Sequence, residues 1–251
     1  FERALALGAD AAVCTHVSNV FGDILPIAEI ARLCRAAGVP LIIDASQSAG
    51  VLPVDFSALG AAFIAMPGHK GLSGPQGTGL LLCGGEAQPL LFGGTGSASR
   101  IQTMPPDLPD RLEAGTHNMP GIAGLLEGLR FVQRVGTERI LRHELALTGQ
   151  VAQGLSALPG VEVFADGEDR AQTGVLSFRV RGMDSEQIGE ELARRQIAVR
   201  AGLHCAPLAH RTAGTFETGT VRLSPSVFNT PRHIDVFLRE LSGFIRENSR
   251  Q

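Results

Sequence analysis

At 251 residues, with 44% hydrophobic and 19% charged side chains, the chain can build one large α/β domain or two smaller ones. A net charge of −3, with the arginines scattered rather than blocked, argues against a nucleic-acid surface or a polybasic membrane patch, and no apolar run reaches the length of a bilayer span. Cys14, Cys34, Cys83 and Cys205 are widely spaced, with no CxxC pair, so they read as reduced thiols of a cytoplasmic protein rather than a disulfide framework.

In chain order, FERALALGAD (1–10) reads as the tail of a helix, and the chain as a continuation of something longer. AAVCTHV (11–17) predicts a strand, PIAEIARLCRAAG (26–38) an amphipathic helix stopped by Gly38, and VPLIIDAS (39–46) an apolar strand ending in Asp44. AAFIAMP (61–67) and GTGLLLC (77–83) predict two further strands. Apolar strands alternating with helices imply a parallel or mixed sheet covered by helices. Ligands of such sheets sit beyond the carboxyl ends of the strands, where Asp44, Gln47, His69 and Lys70 fall. Residues 84–118, rich in Gly, Pro and Ser, predict a long functional loop. A helix follows from Met119 to a break near Gly136, and another covers 137–158. Strands near 161–164, 174–180, 197–200 and 220–224, with helices at 184–195 and 231–247, predict a smaller α+β domain. The last helix has Pro231 at its start and apolar residues at helical spacing.

Lys70 is the only lysine beside 21 arginines. Arginine can replace lysine on a surface, but it cannot give up its proton and act as a nucleophile. A sole lysine in a glycine-rich loop is therefore a candidate for Schiff-base chemistry, against the plainer reading of a leftover surface residue. Asp44, emerging from PLIID, could hold a proton on a heteroaromatic nitrogen, as a pyridoxal ring requires, or it could simply cap a turn. Gln47 could reach the phenolic oxygen of such a ring. The Walker spacing is absent around Lys70 and GGTGSAS lacks a dinucleotide fingerprint, so nucleotide binding is disfavoured. His204, Cys205 and His210 have poor spacing for zinc, and no metal site is expected. Cys205 sits among Gly, His and Pro, which points to an exposed loop where a thiolate could react, although a buried inert thiol is the commoner case. Arg222, on a β-type run, offers a fork that matches a carboxylate.

Taken together and in this order, THVSNVFG (15–22), DASQ (44–47), GHKGLSGPQGTG (68–79), EAGTHN (113–118), RAGLHCAPL (200–208) and GTVRLSP (219–225) with FNT (228–230) resemble the class V branch of fold-type I pyridoxal-phosphate enzymes. The resemblance is specifically to cysteine desulfurases and selenocysteine lyases, and it runs over essentially the whole chain. It implies an α/β fold with a mixed, mostly parallel sheet flanked by helices, the pyridoxal-phosphate domain at 1–135 and a smaller α+β domain at 136–251. It also implies pyridoxal 5'-phosphate bound through Lys70, with Asp44 on the pyridine nitrogen, Gln47 on the phenolic oxygen and His69 near the phosphate. Asn19 and Arg222, with Arg200, would hold the substrate, and Asn19 would also border the cofactor. Thr95 would be lent to a neighbouring subunit's phosphate, hence a homodimer.

The implied reaction converts L-cysteine to alanine and leaves the sulfur on Cys205 as a persulfide. The short proline-containing loop around Cys205 resembles the branch that passes sulfur to an acceptor protein. Selenocysteine lyase, with L-selenocysteine as substrate, another C–S lyase and a class V aminotransferase remain alternatives, as does a catalytically incompetent fragment or fold relative. Two departures from the pattern stand out. Pro67 occupies a place where many relatives carry a phosphate-binding hydroxyl, and proline offers no N–H in its stead. The family's N-terminal third, with its phosphate-binding helix start, has no counterpart in these residues.

Overall fold

The structure is a computed structural model that describes residues 1–164 and 171–248. It divides into two compact units: Phe1–His16 with Pro26–Arg134, and Val17–Leu25 with the chain from Val135 onward. A single cut near residue 135 does not capture this division, because the excursion 17–25 bonds to strands of the second unit. Among the described residues, no helix is long and apolar enough to cross a membrane.

The first unit contains α1 (Glu2–Ala6), β1 (Ala12–Thr15), α2 (Ile27–Ala36), β2 (Leu41–Asp44), α3 (Phe56–Leu59), β3 (Phe63–Pro67), β4 (Gly79–Cys83) and α4 (Met119–Val135). Its sheet has the order β1-β2-β3-β4; the first three strands are parallel and β4 runs antiparallel to β3. Leu41 and Ile43 of β2 are buried, while α2 buries Ile27, Ile30, Ala31 and Cys34, the one-face spacing of an amphipathic helix. Parallel pairing lines up the carboxyl ends of β1, β2 and β3 along one edge, with Thr15 opposite Asp44 and Asp44 opposite Ala65.

Close backbone approach sets the path of the chain beyond β2 and β3. The turn after β2 folds back at Gly50, whose φ is +86°. A Cβ there would strike the Gly71 carbonyl, and a Cβ on Gly71 would strike the carbonyl of Ala49. The loop carrying His69 and Lys70 thus lies directly on the turn that succeeds Asp44. It is braced from the other side by α4, where a Cβ on Gly128 would strike the Leu72 carbonyl. Gly50→Ala combines a left-handed backbone with a blocked approach. It is expected to lower stability by about 2–4 kcal/mol, the sum of a strained φ and an overpacked contact. Urea unfolding checks this, and an unchanged midpoint would refute it.

The second unit contains α5 (Thr137–Ser156), β5 (Val161–Phe164), β6 (Leu176–Val180), α6 (Ser185–Arg194), β7 (Arg200–Gly202), α7 (Pro207–Thr212), β8 (Thr220–Leu223) and α8 (Pro231–Asn248). Its sheet is antiparallel, in the order β5-β6-β8-β7. Strand alternation sorts its two faces. Leu176, Phe178 and Val180 of β6, with Val221 and Leu223 of β8, pack against Leu147, Val151 and Leu155 of α5, Ile188 and Leu192 of α6, and Phe237 and Leu241 of α8. Ser177 and Arg222 are register partners and point to the other face, where Ser177 Oγ donates to the Val20 carbonyl at 2.6 Å. Gln172 Nε2 donates to the Phe21 carbonyl, and Thr173 N to that of Gly22. These bonds attach the excursion to the second unit.

The strand predicted at 197–200 is displaced to Arg200–Gly202. Helix α6 ends with Gln196 at φ +63°, and Gln196 N and Ile197 N donate to the Ala193 and Leu192 carbonyls. This left-handed cap uses the residues that would have begun the strand.

Glu144 of α5 is buried against Gly174, and burial pushes its carboxyl up to about 7 from an ordinary value of 4.5. With the folded value raised, the folded state holds the proton more tightly, so this contribution is full below pH 4.5 and is lost as pH rises through 7. Glu144→Gln is therefore expected to be more stable than wild type at pH 8.5 by about 1–3 kcal/mol. The gap should close by pH 5 in paired urea titrations, and a gap that is independent of pH would refute the assignment.

Candidate active site

Four of the sequence-derived residues meet on the carboxyl edge of the first unit's sheet. Asp44 ends β2 and is exposed; its Oδ1 accepts from Ser46 N at 2.9 Å. Gln47 is half-buried in the same turn. His69 and Lys70 are exposed in the turn after β3, which is closed by Ser73 N donating to the Lys70 carbonyl, Gly68 N to the Thr78 carbonyl and Gly74 N to the Gly68 carbonyl. Among the described residues, neither the His69 ring nor the Lys70 amine has a hydrogen-bond or ion-pair partner. The edge thus presents an amine, a carboxylate, an amide and an imidazole on a rigid base, a donor set that fits pyridoxal phosphate. His16, which sequence reasoning passed over, lies at the same edge. Its backbone N donates to the Asp44 carbonyl, and its ring is buried with Nδ1 unpartnered among the described residues. Burial lowers its pKa. Thr95 lies apart, in the loop between β4 and α4, with its hydroxyl on that of Ser97 at 3.0 Å.

The second unit gathers the others. Arg222 of β8 sits directly opposite Arg200 of β7, a like-charge pairing that a sheet does not favour unless an anion joins it. Arg222 Nη1 donates to the Asn19 carbonyl at 2.7 Å, while its buried Nε has no partner among the described residues. Burial first, and then the Arg200 charge, pull the Arg222 pKa down, with Cys205 working against them. Asn19 Nδ2 donates to the His204 carbonyl at 2.6 Å. Cys205 comes next on an exposed turn, at φ +59° with His204 at φ +50°. Just beyond Cys205 the chain enters the short helix α7, with Pro207 at its first position.

Two histidines here carry more structure than the sequence suggested. His204 Nε2 is paired with Thr220 Oγ1 at 3.0 Å, and its ring centroid is 5.6 Å from that of the fully buried His210. His210 pairs through Nδ1 with Thr215 Oγ1 and packs against Phe21 at 6.0 Å. Burial, then the charge of Arg222 and then His210, lower the His204 pKa to about 4. The only signal available in sequence was the His-Cys dipeptide itself. Among the described residues, no group of three or more His, Cys, Asp or Glu could hold a metal ion.

The first unit is thus a mixed α/β sheet with a lysine and an aspartate at its carboxyl edge, and the second is a smaller α+β unit. The model of the aminotransferase class-V family matches residues 1–237, and the chain belongs to that family. It is 37% identical over 240 residues to a probable cysteine desulfurase of Methanothermobacter thermautotrophicus, covering 91% of this chain and 60% of that one. The apo structure of a cysteine desulfurase from Thermococcus onnurineus superposes with a TM-score of 0.90 at 33% identity, over 98% of this chain and 62% of that one. An Escherichia coli cysteine desulfurase, solved in an S-sulfonic acid form, gives a TM-score of 0.83 at 27% identity, over 93% and 58%. The chain therefore spans about 60% of the length of such relatives.

Proposed function

We propose that the chain forms the greater part of a pyridoxal-phosphate-dependent cysteine desulfurase that converts L-cysteine to L-alanine and takes the sulfur onto Cys205. The observation that carries this reading is the exposed Cys205 thiol, presented on a left-handed turn whose His204 carbonyl is held by Asn19, the residue that also accepts from Arg222. An aminotransferase has no need of such a thiol.

Arg200 and Arg222 bind the substrate carboxylate, the anion their cross-strand pairing lacks. Asn19 holds Arg222 in place and keeps one amide hydrogen for the same ligand. Pyridoxal phosphate, when bound, supplies an electron sink for negative charge at the substrate Cα. Lys70 would hold the cofactor through its amine, and that amine would move the proton at the substrate Cα. Asp44 would keep the pyridine nitrogen protonated, Gln47 would contact the phenolic oxygen and His69 would adjoin the phosphate. Cys205 Sγ then forms an S–S bond with the substrate sulfur as the substrate C–S bond breaks. The bonding pair stays on carbon, and a proton completes alanine.

Leu90, Leu91 and Phe92 are 92%, 70% and 72% exposed in the loop that carries Thr95. Such a patch supports a homodimer in which Thr95 serves the neighbouring subunit's phosphate. A sulfur-acceptor protein would take the persulfide from the exposed turn. The four free thiols support a cytoplasmic setting. The test is to supply the full-length protein with pyridoxal phosphate and L-cysteine, then measure alanine and the mass of the Cys205 peptide. Stoichiometric alanine with a gain of one sulfur on that peptide is expected. Alanine without added sulfur, or no alanine, would overturn the assignment.

A further inference from the structure

His204 and Cys205 are consecutive non-glycine residues in the left-handed region, at φ +50° and +59°. Each such residue is strained by roughly 1–2 kcal/mol and persists only where its surroundings hold it. The Cys205 side chain is exposed, and among the described residues it makes no hydrogen bond. The backbone contributes one turn bond, Ala206 N to the Leu203 carbonyl at 2.9 Å. Three further anchors act on His204: Asn19 on its carbonyl, the Thr220 hydroxyl on Nε2, and the His210 ring against its own. His210 is a firm backstop, being fully buried, bonded to Thr215 and packed on Phe21.

We propose that His204 is the positioning residue for Cys205: its imidazole, seated between Thr220 and His210, holds the strained turn that presents the thiol. The inference deepens the desulfurase reading above and rests on Cys205 being the sulfur acceptor. The ring is engaged on both sides, by the Thr220 hydroxyl at Nε2 and by the His210 ring, as a positioning role requires. Asn19 extends the arrangement. Its side chain grips the His204 carbonyl while its own carbonyl accepts from Arg222, so the carboxylate clamp and the thiol turn share one residue. A substrate held by its carboxylate is thereby placed at a defined distance from the sulfur acceptor.

The test compares wild type, His204→Ala and His204→Gln as full-length holoenzymes. It reads amide hydrogen exchange over 203–207, and alanine release with kcat and KM separated. In His204→Ala, exchange over that segment is expected to rise about tenfold or more, as for a locally opened turn. Its kcat should fall about 10- to 100-fold, the loss that accompanies misplacement of a reacting group, with KM within about threefold of wild type because the arginines are untouched. His204→Gln keeps a hydrogen-bonding group within reach of Thr220 and should recover most of both. Unchanged exchange in His204→Ala overturns the proposal, and so does an equal loss in the Ala and Gln variants. If wild type releases no alanine, the desulfurase reading is what has failed, and the exchange comparison alone then decides whether His204 holds the turn.

Discussion

Lys70→Arg is expected to leave residues 1–251 with no borohydride-fixed cofactor and to lower alanine release by about 10²–10⁴-fold or more, the size of effect that accompanies loss of a proton-transferring group. Arginine preserves the charge and most of the length, so the substitution isolates what only an amine can do: attach the cofactor covalently, then carry a proton. The chain offers no other ε-amine to substitute. Stability provides the control. Lys70 is exposed, and surface substitutions away from packed contacts usually change stability by less than about 0.5 kcal/mol. A melting curve that coincides with wild type would therefore show that the lost chemistry is not lost folding. The measurement is peptide mapping after reduction. An adduct on the wild-type peptide 68–79 and none in the variant is the expected pair. Full alanine release by the variant would remove Lys70 from the chemistry.

The lysine was legible because composition and location agreed: one residue of its kind, at the end of an apolar run, in a chain whose alternation implied a sheet with an active edge. Asp44 was legible from location alone, at the end of the apolar run PLIID. What sequence could not show is why the two loops adjoin. That depends on Gly50 and Gly71 letting backbones approach, and neither glycine stands out among the 31 in the chain. On the second unit, the β-type run at 220–224 marked a strand carrying Arg222, and the fold turns that side chain to the face away from Val221 and Leu223. The covering of that face by 17–25 was hidden, because Asn19 and Arg222 are 203 residues apart. The start of β7 was missed because the left-handed cap of α6 is Gln196, where a glycine would have announced it. His204 was missed because its partners, Thr220 and His210, are identifiable only once the strand and α7 fold together.

Cys205→Ser is expected to retain cofactor at the wild-type level and to lose the persulfide entirely, with alanine release from L-cysteine falling about 10²–10⁴-fold, in the range seen for loss of a group acting directly on the substrate. Serine fits the same space, and the exposed position makes no packed contact to lose, so the left-handed turn and its His204 anchors remain. The difference is chemical. A hydroxyl is a far weaker nucleophile than a thiolate and cannot accept sulfur as a stable S–S bond. The arginine clamp is intact, so KM should stay close to wild type while kcat collapses, the pattern of an interaction made only in the transition state. Running L-selenocysteine beside L-cysteine separates the two lyase chemistries. Loss with cysteine alone means that Cys205 is needed to extract sulfur but not to release selenium. Loss with both makes the thiol indispensable to either reaction. Alanine release from L-cysteine at the wild-type rate would mean that sulfur leaves without reaching Cys205, and the strained turn that presents the thiol would need another purpose.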